Sequence, residues 1–127
     1  WWNRLVGDAD SRLNLKKEGT FPLVHGVRSL ALAGRITETG TAERIAALVQ
    51  AGALTEAMGQ ELLESLHFFM GLKLKAGLAE AQRGEPVTGQ VDVQALSTLD
   101  RDLLKDTLSV VKRFRALLRQ RFRLGVL

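Results

Sequence analysis

Two aspartates near the N-terminus have the spacing that first suggests chemistry. Asp8 and Asp10 stand two residues apart, directly after Gly7, and paired carboxylates of this kind hold divalent metal ions in many enzymes that act on nucleotides. Those enzymes place the pair on a strand behind a Gly-Ser phosphate loop, and only six residues precede Gly7 here. Because Gly, Asp and Ser also favour turns, we predict a solvated turn and assign no metal ligand.

The other reactive side chains give no support for catalysis. His25 and His67 lie far apart in the sequence and outside any H-E-x-x-H arrangement. The position of His67 at the edge of an apolar helical arc predicts a hydrogen-bonded packing role. The chain has no cysteine, which excludes disulfides, thiolate nucleophiles and cysteine-bound metals and favours a reducing, cytoplasmic setting. We therefore assign no catalytic residue and no cofactor to this chain.

Lys73 is a charged residue in an apolar setting. On a helical wheel it falls among Leu62, Leu66 and Phe69. A buried ammonium needs a carboxylate partner, a path to the rim or a ligand groove. Glu80 lies two turns further on the same side, so an ion pair, a snorkelling lysine and a ligand contact all remain open.

The basic residues are concentrated at the C-terminal end. The whole chain has a net charge of +4, whereas residues 101–127 carry eight Lys or Arg and two Asp, a net charge of +6. On a wheel these cations lie opposite an apolar arc formed by Leu99, Leu103, Val110, Val111, Phe114, Leu117, Leu118 and Phe122. The stripe consists of Arg101, Lys105, Lys112, Arg115, Arg119 and Arg123, with Leu108 the one apolar residue among them. Such a stripe can meet nucleotide phosphates, nucleic acid or an acidic protein surface. No aromatic residue is interleaved with it to stack bases, so nucleic acid is not the partner we expect.

Helical periodicity, together with residues that start and stop helices, predicts four helices that position these residues. The first spans about residues 20–35 with Pro22 in its first turn. The second spans 42–51, with Thr41 as its cap and Gly52 as its stop, and the third runs from Thr55 to about residue 82. The last begins after a capping box at Ser97 and reaches about residue 124. With no alternating strand pattern, the sequence predicts an all-α protein, an antiparallel four-helix bundle.

The domain limits follow from the same pattern. The chain begins with Trp1 rather than methionine, so we expect it to continue from an upstream domain. We assign residues 1–15 to a linker or the trailing edge of that domain and residues 16–127 to the bundle. No apolar run approaches the roughly 20 residues of a membrane helix, so we expect no membrane partner.

The order of several short motifs resembles a known family from about residue 12 to residue 123. The motifs are Leu15-Lys16 with Gly19, Pro22-Leu23-Val24, Arg28 to Leu32, Thr41 with Glu43-Arg44 and Leu48, Leu72-Lys73-Leu74, Val91-Asp92, Leu96-Ser97 and Leu103-Leu104-Lys105. Together they resemble the C-terminal helical domain of bacterial nucleotidyltransferases that carry cyclic-nucleotide-binding and CBS domains upstream.

The resemblance implies a role that composition alone does not give. In that family a catalytic core similar to PII-type uridylyltransferases precedes this domain, and a nucleotide and Mg²⁺ are implied for the parent enzyme. The resemblance also implies that Lys16, Arg28, Arg44 and Lys73 face the cleft between the two domains, where they would contact substrate or stabilise the interface.

Three hypotheses follow. In the first, the domain packs on the nucleotidyltransferase core of the same chain and helps hold the nucleotide or the acceptor. In the second, the bundle is an interaction or dimerisation module that transmits the state of upstream sensory domains. In the third, the basic stripe binds nucleic acid and retains it in a salt-dependent way.

Overall fold

The computed structural model describes Trp2 and residues 12–123. Four α-helices account for most of these residues. They are α1 (Phe21–Ala33), α2 (Thr41–Gln50), α3 (Glu56–Gln82) and α4 (Thr98–Arg123). A π-helical turn over Lys16–Thr20 leads into α1, and a short 3₁₀ turn over Val93–Ala95 precedes α4. Each helix packs on the next in chain order, and α4 returns to pack on α1. The predicted all-α class is confirmed.

Side-chain caps fix the starts of the two long helices as the sequence predicts. Thr55 Oγ1 accepts a hydrogen bond from the Met58 N–H at 3.1 Å, and Ser97 Oγ accepts one from the Asp100 N–H at 3.1 Å. Each satisfies a backbone donor that the helix leaves without an internal partner. The start of α2 is different, because Gly40 rather than Thr41 occupies the capping position and no side chain caps it.

A two-stranded antiparallel ribbon, β1 (Arg12–Asn14) with β2 (Gln90–Asp92), is the element that the sequence did not predict. Leu13 pairs with Val91, and both side chains are buried. Leu15, one residue beyond β1, is also buried in the core. Residues 12–15, expected in a linker, are therefore part of the packed domain. A strand of three residues is too short to show an alternating pattern, which is why the prediction missed it.

Two phenylalanines lie at the centre of the core, Phe69 from α3 and Phe114 from α4, and both are fully buried. Glycines let neighbouring backbone approach these rings. A Cβ on Gly26 would lie 2.6 Å from both Phe114 and Leu118, and a Cβ on Gly19 would lie 2.6 Å from Phe69. The close packing of α1 and of the π-helical turn thus depends on the absence of a side chain at these positions.

The buried face of α4 is narrower than the predicted arc. Its seam follows Leu104, Thr107, Val111 and Phe114, a spacing of three and four residues, and continues to the half-buried Leu118. Leu99 and Leu103, placed in the apolar arc by the sequence, are 69% and 42% exposed, and Phe122 is 48% exposed. A seam with a period near 3.5 residues buries a narrow stripe, and apolar residues on its flanks remain in solvent.

Candidate substrate-binding groove

A groove of about 610 Å³ runs along one side of α4 and contains most of the basic stripe. Its walls are formed by Lys105, Lys112, Arg115 and Arg119 from α4, together with Glu18 from the π-helical turn and Trp2 from the N-terminal segment. Leu108, Ser109 and Val111 also line it. We call this the basic groove.

Helical spacing brings the four cations to the same side. Steps of seven, three and four residues from Lys105 to Arg119 return to nearly the same direction on a helix with 3.6 residues per turn. At ~1.5 Å per residue they extend over about 21 Å, and Lys112 to Arg119 covers about 10 Å of this. The stripe lies beside the buried seam rather than opposite it, and the half-buried Leu108 falls between the two. The apolar residue that looked out of place among the cations is therefore part of the groove lining.

The four cations of the basic groove have no ion-pair partner among the described residues. Within the part of the chain that the structure describes, none of the four cations forms a salt bridge. Arg113 on another side of α4 is different, since its guanidinium donates to Glu61, and this hydrogen bond raises the pKa of Arg113. Among the described lining residues, four cations stand against the one carboxylate of Glu18, and this excess of positive charge attracts an anion.

Two residues of the predicted stripe do not line the groove. The Nη2 of Arg101 donates to the backbone carbonyls of Gln94 and Leu96, at 3.1 and 3.5 Å, and so holds the connection before α4. Arg123 lies in the exposed last turn of α4. The structure thus brings four of the six predicted cations together.

Lys16, Arg28, Arg44 and Lys73 line neither the basic groove nor the second cleft described below. Lys16 and Arg28 are exposed. The Nε of Arg44 donates to the Glu38 carbonyl at 2.8 Å, which anchors the loop before α2. Their predicted contacts with substrate or with another domain stay a prediction.

The side chain of Lys73 is exposed, as the alternative of a lysine that reaches the rim requires. The seam of α3 follows Leu62, Ser65, Phe69 and Leu72, again in steps of three and four residues, and Lys73 lies next to it. The expected Glu80 partner is also occupied elsewhere.

Glu80 belongs to a second, charged cleft of about 530 Å³ between the C-terminal half of α3 and the segment 83–100. Its carboxylate is only 9% exposed and accepts hydrogen bonds from Thr88, at 2.8 Å from Oγ1 and 3.3 Å from the backbone N–H. Lys75 pairs with Asp100 at 3.0 Å, and Arg83 pairs with Glu85 at 2.8 Å. The charged side chains of this cleft mostly satisfy one another, and Glu80 holds the loop.

Trp2 is a groove residue that the sequence analysis did not predict, as is Glu18. Its indole is half-buried, packs against the hydrophobic core and lines the basic groove. The sequence offered no aromatic residue within the stripe, and nothing in α4 indicates that one arrives from more than 100 residues away. Only the fold brings the indole and the cations together.

The histidines and carboxylates do not build a metal site in the described residues. His25 is exposed with its ring 4.1 Å from that of Phe21, and His67 is exposed, contrary to its predicted packing role. Among Trp2 and residues 12–123, no three His, Cys, Asp or Glu side chains form a group that could hold a metal ion. Asp8 and Asp10 lie outside the described residues.

Comparison with known proteins identifies the class of this helical domain. Residues 1–122 match the family model described as "Putative nucleotidyltransferase substrate binding domain". The chain belongs to this family. No curated protein and no solved structure matches the chain. In the described residues, no helix is long and apolar enough to cross a membrane.

Proposed function

We propose that this domain binds a phosphate-bearing substrate of a nucleotidyltransferase in the basic groove and positions it for a catalytic core in the same chain. The observation that carries the proposal is the convergence of Lys105, Lys112, Arg115 and Arg119 on one groove without salt-bridge partners among the described residues. Family membership supplies the enzymatic context.

The groove acts by binding and orientation. Lysine and arginine donate charge-assisted hydrogen bonds to phosphate oxygens, and the guanidinium groups of Arg115 and Arg119 can each donate two parallel bonds. Holding a substrate in a fixed orientation lowers the entropic part of an activation barrier without contributing a nucleophile or a base. The catalytic carboxylates and their Mg²⁺ would come from the core.

The wider setting that we propose follows the motif resemblance. The parent is a bacterial, cytoplasmic signal-transduction enzyme, similar to PII-type uridylyltransferases, with CBS and cyclic-nucleotide-binding domains upstream. In this arrangement the helical domain holds one substrate while the upstream domains regulate access to the core.

Calorimetric titration of the chain with tripolyphosphate, without added divalent metal, tests the proposal. Hydrogen bonds to charged groups contribute about 1.5–3 kcal/mol each, so the Lys112→Ala, Arg115→Ala, Arg119→Ala triple variant should bind at least about 100-fold more weakly. The matched control replaces Arg35, Lys75 and Arg83 with alanine, which removes the same charge from exposed sites outside the groove. Equal losses in the two triple variants would show a nonspecific charge effect and would overturn the proposal.

A second function, packing against another domain, is favoured by an exposed apolar stripe on α3. Met70, Leu74 and Leu78 follow one another at four-residue intervals and are 58%, 65% and 56% exposed. Three side chains offer far less than the about 800 Å² that each partner of a standard interface buries. A tethered domain needs less contact area than a free partner, so we propose the nucleotidyltransferase core as the occupant.

Charged substitutions on this stripe test the packing proposal in the full-length protein. Met70→Lys with Leu74→Glu should increase proteolysis between the two domains, whereas Leu32→Glu, at an equally exposed leucine of α1, should not. Unchanged proteolysis of the stripe variant would contradict the proposal. Light scattering of the same variants tests the alternative of a dimer formed through this face, which predicts a lower mass only for the stripe variant.

A further inference from the structure

The basic groove combines two kinds of surface. One is the set of cations on α4 that form no salt bridge with the described residues, and the other is the indole of Trp2. The indole is half-buried and packed against the core, so part of its surface is held in place while the rest contributes to the groove. A fixed aromatic surface beside cations is the arrangement by which proteins bind the bases and phosphates of nucleotides.

We infer that the substrate held in the basic groove is a mononucleotide, a nucleoside di- or triphosphate, with its base against Trp2 and its phosphates on Lys112, Arg115 and Arg119. This inference rests on the proposed function and selects the nucleotide over the acceptor substrate. Stacking on an aromatic ring is available to every base, so the inference does not specify which base is bound.

The dimensions favour a single nucleotide over a polynucleotide. Lys112 to Arg119 covers about 10 Å of helix, which suits a short chain of phosphates. The volume of about 610 Å³ lies within the roughly 300–1,000 Å³ of small-molecule sites. A polynucleotide would need the full stripe, but Arg101 is engaged by the Gln94 and Leu96 carbonyls and Arg123 lies outside the groove.

Glu18 adds a negatively charged hydrogen-bond acceptor to the groove, which a site for phosphate alone would not need. A carboxylate repels phosphate, yet it accepts hydrogen bonds from the hydroxyls of a ribose or the amino group of a base. Its presence beside Trp2 and the cations fits a ligand with an anionic end and a hydrogen-bond-donating end. Inorganic phosphate or a phosphorylated protein side chain uses only the first of these.

Titrations with paired ligands and paired tryptophan variants test the inference. The ligands are tripolyphosphate, ATP and UTP, and the variants are Trp2→Leu, Trp2→Phe and, as the matched control, Phe122→Leu at an exposed aromatic residue outside the groove. The nucleotides should bind at least about fivefold more tightly than tripolyphosphate, and Trp2→Leu should remove this difference. Trp2→Phe should retain most of it because phenylalanine still stacks, and Phe122→Leu should leave it unchanged.

The outcomes separate this inference from the proposed function. If nucleotides and tripolyphosphate bind equally and Trp2→Leu changes neither, the inference fails while the phosphate-binding function stands. If the Lys112, Arg115, Arg119 triple variant still binds tripolyphosphate as the unmodified chain does, the proposed function fails first. An equal loss in Phe122→Leu and Trp2→Leu, or tighter binding of a single-stranded oligonucleotide than of ATP, would also overturn the inference. Thermal unfolding of each variant monitors folding. If Trp2→Leu unfolds, the comparison of ATP with tripolyphosphate on the unmodified chain still tests the inference, because equal affinities would overturn it.

Discussion

The basic groove and the charged cleft around Glu80 are similar in size, but they differ in whether their charged side chains are paired within the protein. In the cleft, Lys75 pairs with Asp100, Arg83 pairs with Glu85, and the Glu80 carboxylate is satisfied by Thr88. In the groove, four cations lie along one side of α4, and Glu18 is the one carboxylate among the described residues that line it. Charges paired within the protein stabilise its own loops, whereas unpaired charges of one sign are available to a ligand. The comparison separates a cleft whose charges hold the fold from the groove that we propose as the binding site.

The sharpest way to break this comparison is to remove cations from each region in turn. The Lys112→Ala, Arg115→Ala double variant should lower the affinity for tripolyphosphate by at least about tenfold, because hydrogen bonds to charged groups are lost. Lys75→Ala with Arg83→Ala removes the same charge from the cleft and should change that affinity less than about twofold. Calorimetry at low and high ionic strength measures both. A comparable loss in the cleft variant would contradict the division into binding and structural regions.

The second prediction concerns stability, for which substitutions in the cleft should have larger effects than substitutions in the groove. Glu80→Ala leaves the Thr88 hydroxyl and N–H without their buried acceptor, which should lower the free energy of unfolding by about 2 kcal/mol. Thr88→Val removes only the hydroxyl contact and should cost about 1 kcal/mol. Arg115→Ala in the groove should change stability by less than about 0.5 kcal/mol. Urea denaturation measures all three, and a groove variant as destabilised as Glu80→Ala would reverse our interpretation.

The smallest effect should come from the pH dependence of the Arg83–Glu85 pair. The hydrogen bond from Arg83 lowers the pKa of Glu85 below its ordinary value of 4.5. A carboxyl whose pKa is lowered by folding stabilises the folded state above its unfolded pKa and loses that contribution as the pH falls through its folded pKa. Thermal unfolding from pH 6 down to pH 3 should therefore show a slightly steeper loss in the unmodified chain than in Glu85→Gln. Parallel curves would show that this exposed pair contributes nothing to stability.

Local signals in the sequence account for the helices but not for everything that surrounds them. Thr55 and Ser97 cap the long helices where capping patterns placed them, and Gly52 adopts the left-handed conformation expected of a helix stop, with φ at 78°. The ribbon of β1 and β2 was not predicted because a strand of three residues is too short to show the alternation of buried and exposed side chains. Burial on α4 was misjudged at Leu103 because the apolar arc on a helical wheel is wider than the seam that the fold buries.

The candidate site also contains residues that the sequence predicts and residues that it does not. The cations of the groove could be predicted because they lie on one helix, where the spacing of residues fixes their direction. Trp2 and Glu18 could not, since they reach the groove from other parts of the chain through tertiary packing. The role of Glu80 was missed for a related reason, because its partner Thr88 lies in a loop without periodicity.

The glycine at position 26 has a consequence for how this domain can change. The Phe114 ring lies against α1 where a side chain is missing, so α4 cannot slide along α1 without meeting the bulkier neighbours of Gly26. The register of the two helices is thereby set by residues that do not line the groove. The cations that we propose as ligand contacts are different residues, so substitutions at Lys105, Lys112, Arg115 and Arg119 should change the ligand preference of the groove while the register of the two helices is kept.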